Sequence, residues 1–263
     1  MTLRVLELRL RPTAEIEMEV RSITIRREWN PASAAVIICD MWDAHHCISA
    51  VRRVAEMAPR VNSVVTALRD EGTLIIHAPG GCMDFYTGTA ARTRAVEAPM
   101  TRSSVRIGWN GWNPQREAGL SASLVDPGSC SCDSAEACGT GEPHYPWTRQ
   151  TPIIDVTPDD AVTDDGQEVL NLLEHRQIDD VIVTGVHANI CVLGRPYGIR
   201  QLVYWGKHPL LCRDLTDSFH RDPRGHFWGT EQVVAHIERH WCPSLTSDQL
   251  VGGTPFRFRE DRV

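Results

Sequence analysis

Two residues in this chain stand where side-chain chemistry is commonly placed, and they are far apart in sequence. The first is Cys191, in Val181-Ile-Val-Thr-Gly-Val-His-Ala-Asn-Ile-Cys191-Val-Leu-Gly: an apolar run, a glycine, a short connection, then a cysteine where a helix should begin. A thiol at a helix start faces unpaired backbone N–H groups and the positive end of the helix. Both lower its pKa and favour the nucleophilic thiolate, and the same N–H groups can hold an oxyanion. The position also suits a buried cysteine behaving as a small hydrophobe.

The second is Asp40, which ends the apolar run Ala35-Val36-Ile37-Ile38-Cys39. A carboxylate beside apolar side chains has its ionised form disfavoured, so it can exchange a proton with a nearby thiol near neutral pH. Its other reading is a cap for the loop that follows. If strands and helices alternate, Asp40 and Cys191 fall on one edge of a sheet, and the nucleophile and acid/base readings then support each other.

The elements that would position them are legible as hydrophobic patterns. Residues 35–39, 73–76, 181–185 and 209–212 are short apolar runs of the kind buried on both faces of a parallel sheet. Helical periodicity fills 49–69, with Pro59 as a kink or break and Glu71-Gly72 as terminator. Further helices are expected after a cap at Thr163-Asp164, from Cys191 to Trp205 with Pro196 in its first turns, and over Glu231–Trp241. Regular pattern resumes at Pro152–Val156 before the first of these. Alternation of apolar and polar residues in 3–10 and 16–25 predicts short antiparallel strands.

The expected architecture is therefore α/β: three layers, α/β/α, around a largely parallel open sheet, with an N-terminal β extension. One domain over 1–263 is expected, with 1–30 as the extension and 79–151 as a long loop insertion rich in Gly, Pro, Ser and Trp.

Composition removes several function classes. With 42% hydrophobic and 23% charged residues the chain has ordinary globular usage, and a net charge of −7 leaves no basic surplus for nucleic acid. The first twenty residues hold no apolar stretch suited to a signal peptide or membrane span, so a cytoplasmic protein with no membrane partner is expected. Nine cysteines in that setting suggest reduced thiols; Cys130, Cys132 and Cys138 offer three zinc-type ligands without a fourth, and a disulfide or free loop thiols fit them better. Lys207 is the only lysine among 27 basic residues.

Asp40 after the first buried strand, Gly185-Val186 followed by Cys191-Val192, and Arg213-Asp214 after the next strand together resemble the isochorismatase/nicotinamidase-like cysteine hydrolases, over roughly residues 34–240. The resemblance implies Cys191 as nucleophile, Asp40 as proton acceptor and donor, a cis peptide between Val186 and His187, and an oxyanion hole from the N–H groups of His187 and Cys191. It also implies a lysine between Asp40 and Cys191, and this sequence has none there. Arg149 is the nearest match; it can steady charge but cannot relay a proton.

Nicotinamidases of that family bind a divalent metal after the second strand, where this chain reads His77-Ala-Pro-Gly-Gly-Cys-Met-Asp84 without the paired histidines. Asp43, His45, His46 and His187 are ligand types, but no metal and no cofactor is assigned. Trp42, His45 and His46 are expected to wall a substrate pocket. The expected function is hydrolysis of a small amide or related carbonyl substrate through a Cys thioester, by a protein that oligomerises with itself as the family often does. The alternative is a catalytically impaired binding or assembly protein on the same fold, its lysine replaced by Arg149.

Overall fold

The computed structural model describes residues 3–12, 22–117, 138, 145–220 and 224–262. Its centre is an eight-stranded sheet in the order β2-β1-β8-β7-β6-β3-β4-β5. The strands are β1 (Arg4–Leu10), β2 (Ile23–Trp29), β3 (Ala34–Cys39), β4 (Leu74–Ala78), β5 (Ala161–Val162), β6 (Asp180–Val186), β7 (His208–Asp217) and β8 (Ser244–Leu245). From β8 to β5 every neighbouring pair is parallel, and β1 pairs antiparallel with both β8 and β2. The β extension is thus an antiparallel margin on a parallel sheet.

The period of two in β3 builds the three layers. Ala35, Ile37 and Cys39 enter one core with α3 (Gly166–His175), α5 (Ile199–Tyr204) and α6 (His226–His240), while Ala34, Val36 and Ile38 enter the other with α1 (Ile48–Asp70). Both faces of the strand are covered, which is why its sequence is apolar without interruption. The second face also receives Leu6 and Leu8 of β1, so the N-terminal strands share the main core.

Several local expectations shift. Helix α1 runs unbroken through Pro59. Residues 152–154 turn and 155–156 form no regular element, although Ile154 is buried. The helix expected over 191–205 is two short pieces, α4 (Cys191–Gly194) and α5, separated by Arg195-Pro196-Tyr197-Gly198. Pro196 has no N–H to continue the first piece, and the residue before a proline is driven out of the helical region, as Arg195 is at φ −55°, ψ 155°. Helix α6 starts at His226, five residues earlier than Glu231. The segment 79–151 holds a 3₁₀ turn at Met83–Tyr86 and helix α2 (Ala90–Val96), whose Thr89 hydroxyl accepts from Arg92 N–H as N-cap.

One glycine is required by the sheet. Gly185, at φ 103°, has Cys39 O only 2.0 Å from where a Cβ would sit. Closure of β6 on β3 at the carboxyl ends of the strands therefore demands glycine there. Gly185→Ala should destabilise the fold by about 3 kcal/mol or more, by strained backbone plus displaced strand. Urea unfolding followed by far-UV circular dichroism measures this; an unchanged midpoint would show that β3 and β6 do not approach so closely.

Candidate active site

Asp40 leaves β3 at φ 48°, a left-handed conformation that aspartate tolerates better than most residues, and this turns its carboxylate back under the sheet edge. The group is fully buried. A buried carboxylate needs donors, and three reach it. Gly80 N–H donates to Oδ1 at 2.7 Å; the Arg195 guanidinium donates to Oδ2 from Nε at 3.0 Å and lies 2.9 Å away through Nη2. A Cβ on Gly80 would come within 2.5 Å of Arg195 Nη2 and 2.9 Å of Asp40 Oδ1, so a glycine lets the backbone close on the pair.

Cys191 opens α4 with its buried thiol beside the Asp40 carboxylate, close enough for each group to shift the other's pKa. The peptide between Val186 and His187 is cis, and the His187 backbone is near enough to the Cys191 sulfur to lower its pKa slightly against the larger effect of burial. The loop between is held by Asp217 of β7, whose carbonyl accepts from Ala188 N–H at 2.8 Å. The Asp217 carboxylate accepts from Arg53 Nε of α1 at 2.7 Å and pairs with His226 of α6 at 2.5 Å. Asn189 reinforces the loop by donating to Phe219 O and accepting from Phe219 N–H, both at 2.8 Å.

The cation on Asp40 is Arg195, not Arg149. Asp43 accepts from the Arg149 N–H at 3.3 Å, but the guanidinium turns away and lies 5.2 Å over the Phe85 ring. The same Asp43 accepts from Thr148 N–H and Oγ1 at 2.9 and 2.7 Å, so it anchors this segment rather than the chemistry. Arg195 follows Cys191 by four residues, where helical spacing puts two side chains on one face. That spacing is the signal the sequence carries for this cation, which lies after Cys191 and not between Asp40 and Cys191. Lys207 pairs with Glu174 and Asp179 at 2.7 and 2.9 Å, away from Asp40.

The electrostatics also depart from a helix-activated thiol. Burial lifts the Cys191 pKa well above its ordinary value, the neighbouring Asp40 charge adds to this, and Arg195 opposes it without prevailing. Helix α4 has four residues, too few to offset the lost hydration. Burial likewise raises Asp40 despite the opposing pull of Arg195, Cys191 and Gly80. The Arg195 pKa is raised as well: burial disfavours its charge, but Asp40 more than compensates. The resting site is a protonated thiol against a carboxylate whose proton affinity is strengthened.

Trp42, His45 and His46 do come together. Trp42 stacks on Trp147 at 4.1 Å and donates from Nε1 to Gly80 O at 3.0 Å; His45 lies 4.3 Å from His46, 5.4 Å from Trp147 and 5.3 Å from His187. Phe219 completes the cluster, 4.9 Å from His187. Trp147, His187 and Phe219 as wall residues were not visible in sequence, because they come from three separate loops.

No protein-family profile matches the sequence, and no curated protein aligns with it. Solved structures do match. A cysteine hydrolase from Pseudomonas syringae pv. phaseolicola is 15% identical, over 85% of this chain and 92% of that one, with a TM-score of 0.51. An isochorismatase from Pseudomonas putida is 13% identical, over 84% and 92%, at 0.50. The chain has the isochorismatase-like hydrolase fold.

On this isochorismatase-like scaffold the ligand-type residues do not fit a metal. His77 is held between Gln150 and Asp160, both at 3.1 Å, His45 Nδ1 accepts from Cys47 N–H at 3.0 Å, and Asp43 is engaged by Thr148. Among the described residues no three His, Cys, Asp or Glu side chains are grouped to hold an ion. Cys138 is disulfide-bonded, and Cys130 and Cys132 lie outside the described residues. Cys39, Cys47, Cys82, Cys191, Cys212 and Cys242 are free thiols.

Burial holds His187 neutral down to about 3 and His45, with help from His187 and His46, down to about 2. An unfolded histidine takes up a proton near its ordinary value of 6.5. Between there and about 3 the unfolded chain binds the extra proton, so stability falls as pH falls below 6.5 and is untouched above it. Each such histidine contributes at most about 1.4 kcal/mol per pH unit. His187→Phe should flatten the loss of stability between pH 6.5 and 4.5 in urea titrations; a slope equal to wild type would mean His187 charges within the folded protein.

Proposed function

We propose that the protein is a cysteine hydrolase acting on a small amide or related carbonyl compound through a thioester on Cys191. The observation that carries this is the joining of three groups from distant parts of the chain, the Cys191 thiol, the Asp40 carboxylate and the Arg195 guanidinium, at the carboxyl edge of the sheet. Ligands of open α/β sheets bind at that edge. Trp42, His45 and His46 wall the substrate, which is a small molecule and not a nucleic acid, in keeping with the net charge of −7.

Asp40 takes the thiol proton as sulfur attacks the carbonyl carbon, and the N–H groups of His187 and Cys191 receive the oxyanion. The tetrahedral species collapses as Asp40 returns that proton to the leaving amine. Water then gives a proton to Asp40, its oxygen attacks the thioester, and the proton passes back to sulfur as the acid departs. Arg195 stays charged throughout. It supplies the electrostatic balance of a lysine without any share in proton transfer, so all proton handling falls on Asp40.

A second reading, a binding or assembly protein with impaired chemistry, draws on the same ion pair, since Arg195 occupies a carboxylate that a base would need free. Against it, burial outweighs Arg195 and leaves Asp40 a stronger proton acceptor than an ordinary aspartate. Incubation with a panel of small amides, read by amine release and intact mass, separates the two. The hydrolase reading expects turnover, an acyl adduct on Cys191, no product from Cys191→Ser, and a rate lowered by about 10²–10⁴ in Asp40→Asn. Arg195→Lys should retain more activity than Arg195→Met. The acid limb of kcat/KM should lie above the ordinary carboxylate range, because the base is lost only as pH falls through the raised Asp40 value. A folded protein inert to every amide, with no acyl adduct on Cys191, would favour the binding reading.

A further inference from the structure

On the β1 side of the sheet lies a cavity of about 540 Å³ that shares no residue with Asp40, Cys191 or Arg195. Arg9 of β1, Arg213 and Thr216 of β7, Phe227 and Trp228 in the first turn of α6, and the tail from Pro255 to Phe258 line it. Its size is that of a small-ligand site.

Its cations are poorly matched by the acids around them. Arg213 donates from Nη1 to Ser244 Oγ at 3.1 Å, and among the described residues no carboxylate lies within 4.0 Å of its guanidinium. Asp214 is adjacent but spent, accepting from Ser247 N–H at 2.8 Å, Ser247 Oγ at 2.7 Å and Phe256 N–H at 2.8 Å. Glu238 is taken by Arg9 and Arg11 at 2.6 and 3.0 Å and by Ser244 at 2.5 Å. Arg9 Nη2 is buried without a hydrogen-bond acceptor, although Arg9 Nε is held by Glu238 and the largely exposed Glu231 of the cavity lining lies 3.9 Å from Nη2. Burial, with Arg9 beside it, pushes the Arg213 pKa down, and the nearby Glu238 and Asp214 carboxylates offset this only in part.

The opposite wall is aromatic. Phe227 stacks on Phe258 at 5.3 Å, and Phe256 meets Phe258 edge-on at 5.0 Å. Two guanidiniums and three phenyl rings in one lining give the cavity a charged part and a flat apolar part. We infer that this cavity binds a small planar organic carboxylate, its head on Arg213 and Arg9 and its ring against Phe227, Phe256 and Phe258. The inference is independent of the hydrolase reading, since it uses none of that site's residues.

The test uses the full-length Cys191→Ser protein, so that no probe can be turned over, and calorimetric titration with benzoate, inorganic phosphate and benzyl alcohol. Benzoate should bind at least tenfold more tightly than either of the others, by requiring both ends of the cavity. Arg213→Gln should weaken it at least tenfold, Arg213→Lys less, and Phe256→Ala several-fold, while Arg195→Met leaves it unchanged. Circular dichroism checks that each variant is folded, and Arg213→Lys retains the charge if Arg213→Gln is not. Binding that survives Arg213→Gln but fails in Arg195→Met would move the ligand to the catalytic pocket and overturn the inference. Equal affinity for phosphate would overturn the planar carboxylate, and no binding of benzoate would overturn the site.

Discussion

A charge buried at the end of β3 sets the terms for the rest of this molecule. Asp40 has no exposed surface, and an isolated carboxylate there would cost several kcal/mol, so the fold must bring donors to it. It brings them from two directions, Gly80 N–H after β4 and the Arg195 guanidinium after α4. The net gain in stability from such a pair is small, because both ions lose water. Removing one partner alone costs about 3–5 kcal/mol, since the other is left buried and unmatched. The pair therefore fixes geometry more than it adds stability. Gly80 and Gly185 belong to the same constraint: any side chain at either would separate backbones or groups that must touch.

That pairing determines what Cys191 can be. A thiol beside an anion in a dry site resists ionisation, and four residues of helix do not reverse this. A standing thiolate therefore does not fit this site; in the proposed hydrolysis the sulfur keeps its proton until a carbonyl arrives, and the carboxylate that raises its pKa accepts that proton. Arg195 keeps Asp40 from rising further and cannot exchange protons itself. In the proposed mechanism an arginine in this place divides labour that a lysine could share: one residue moves protons, another holds charge.

Much of the framework could be read from the residues. Unbroken apolar runs at 35–39 and 181–185 marked parallel strands, and their order put Asp40 and Cys191 on one edge. The missing part was the partner of Asp40, because Arg195 is 155 positions away and its relation to Asp40 exists only once β3 and β6 pair. Sequence spacing also could not tell a proline inside a helix from one that ends it. Pro59 is tolerated in the long α1, packed along its length on the sheet, whereas Pro196 falls after only one turn and divides α4 from α5. The aromatic wall escaped for a similar reason, since Trp147 and Phe219 meet Trp42 and His45 from loops with no periodic pattern.

The two ends of the molecule are joined through β7. Its Asp217 gathers Arg53 and His226 into a buried cluster and offers its carbonyl to Ala188, so α1 and α6 both bear on the loop that carries His187 and Cys191. The residue before it, Thr216, lines the arginine–aromatic cavity and donates from Oγ1 to Gly185 O at 2.7 Å, directly ahead of the cis peptide. Sharing a strand is not itself coupling: a ligand changes a distant site only by binding two arrangements unequally. β7 is hydrogen-bonded to β6 on one side and β8 on the other and packed at both faces, and such a strand resists a second arrangement. The cavity is better understood as a place of recognition in its own right, and the active-site loop as held rigid from behind.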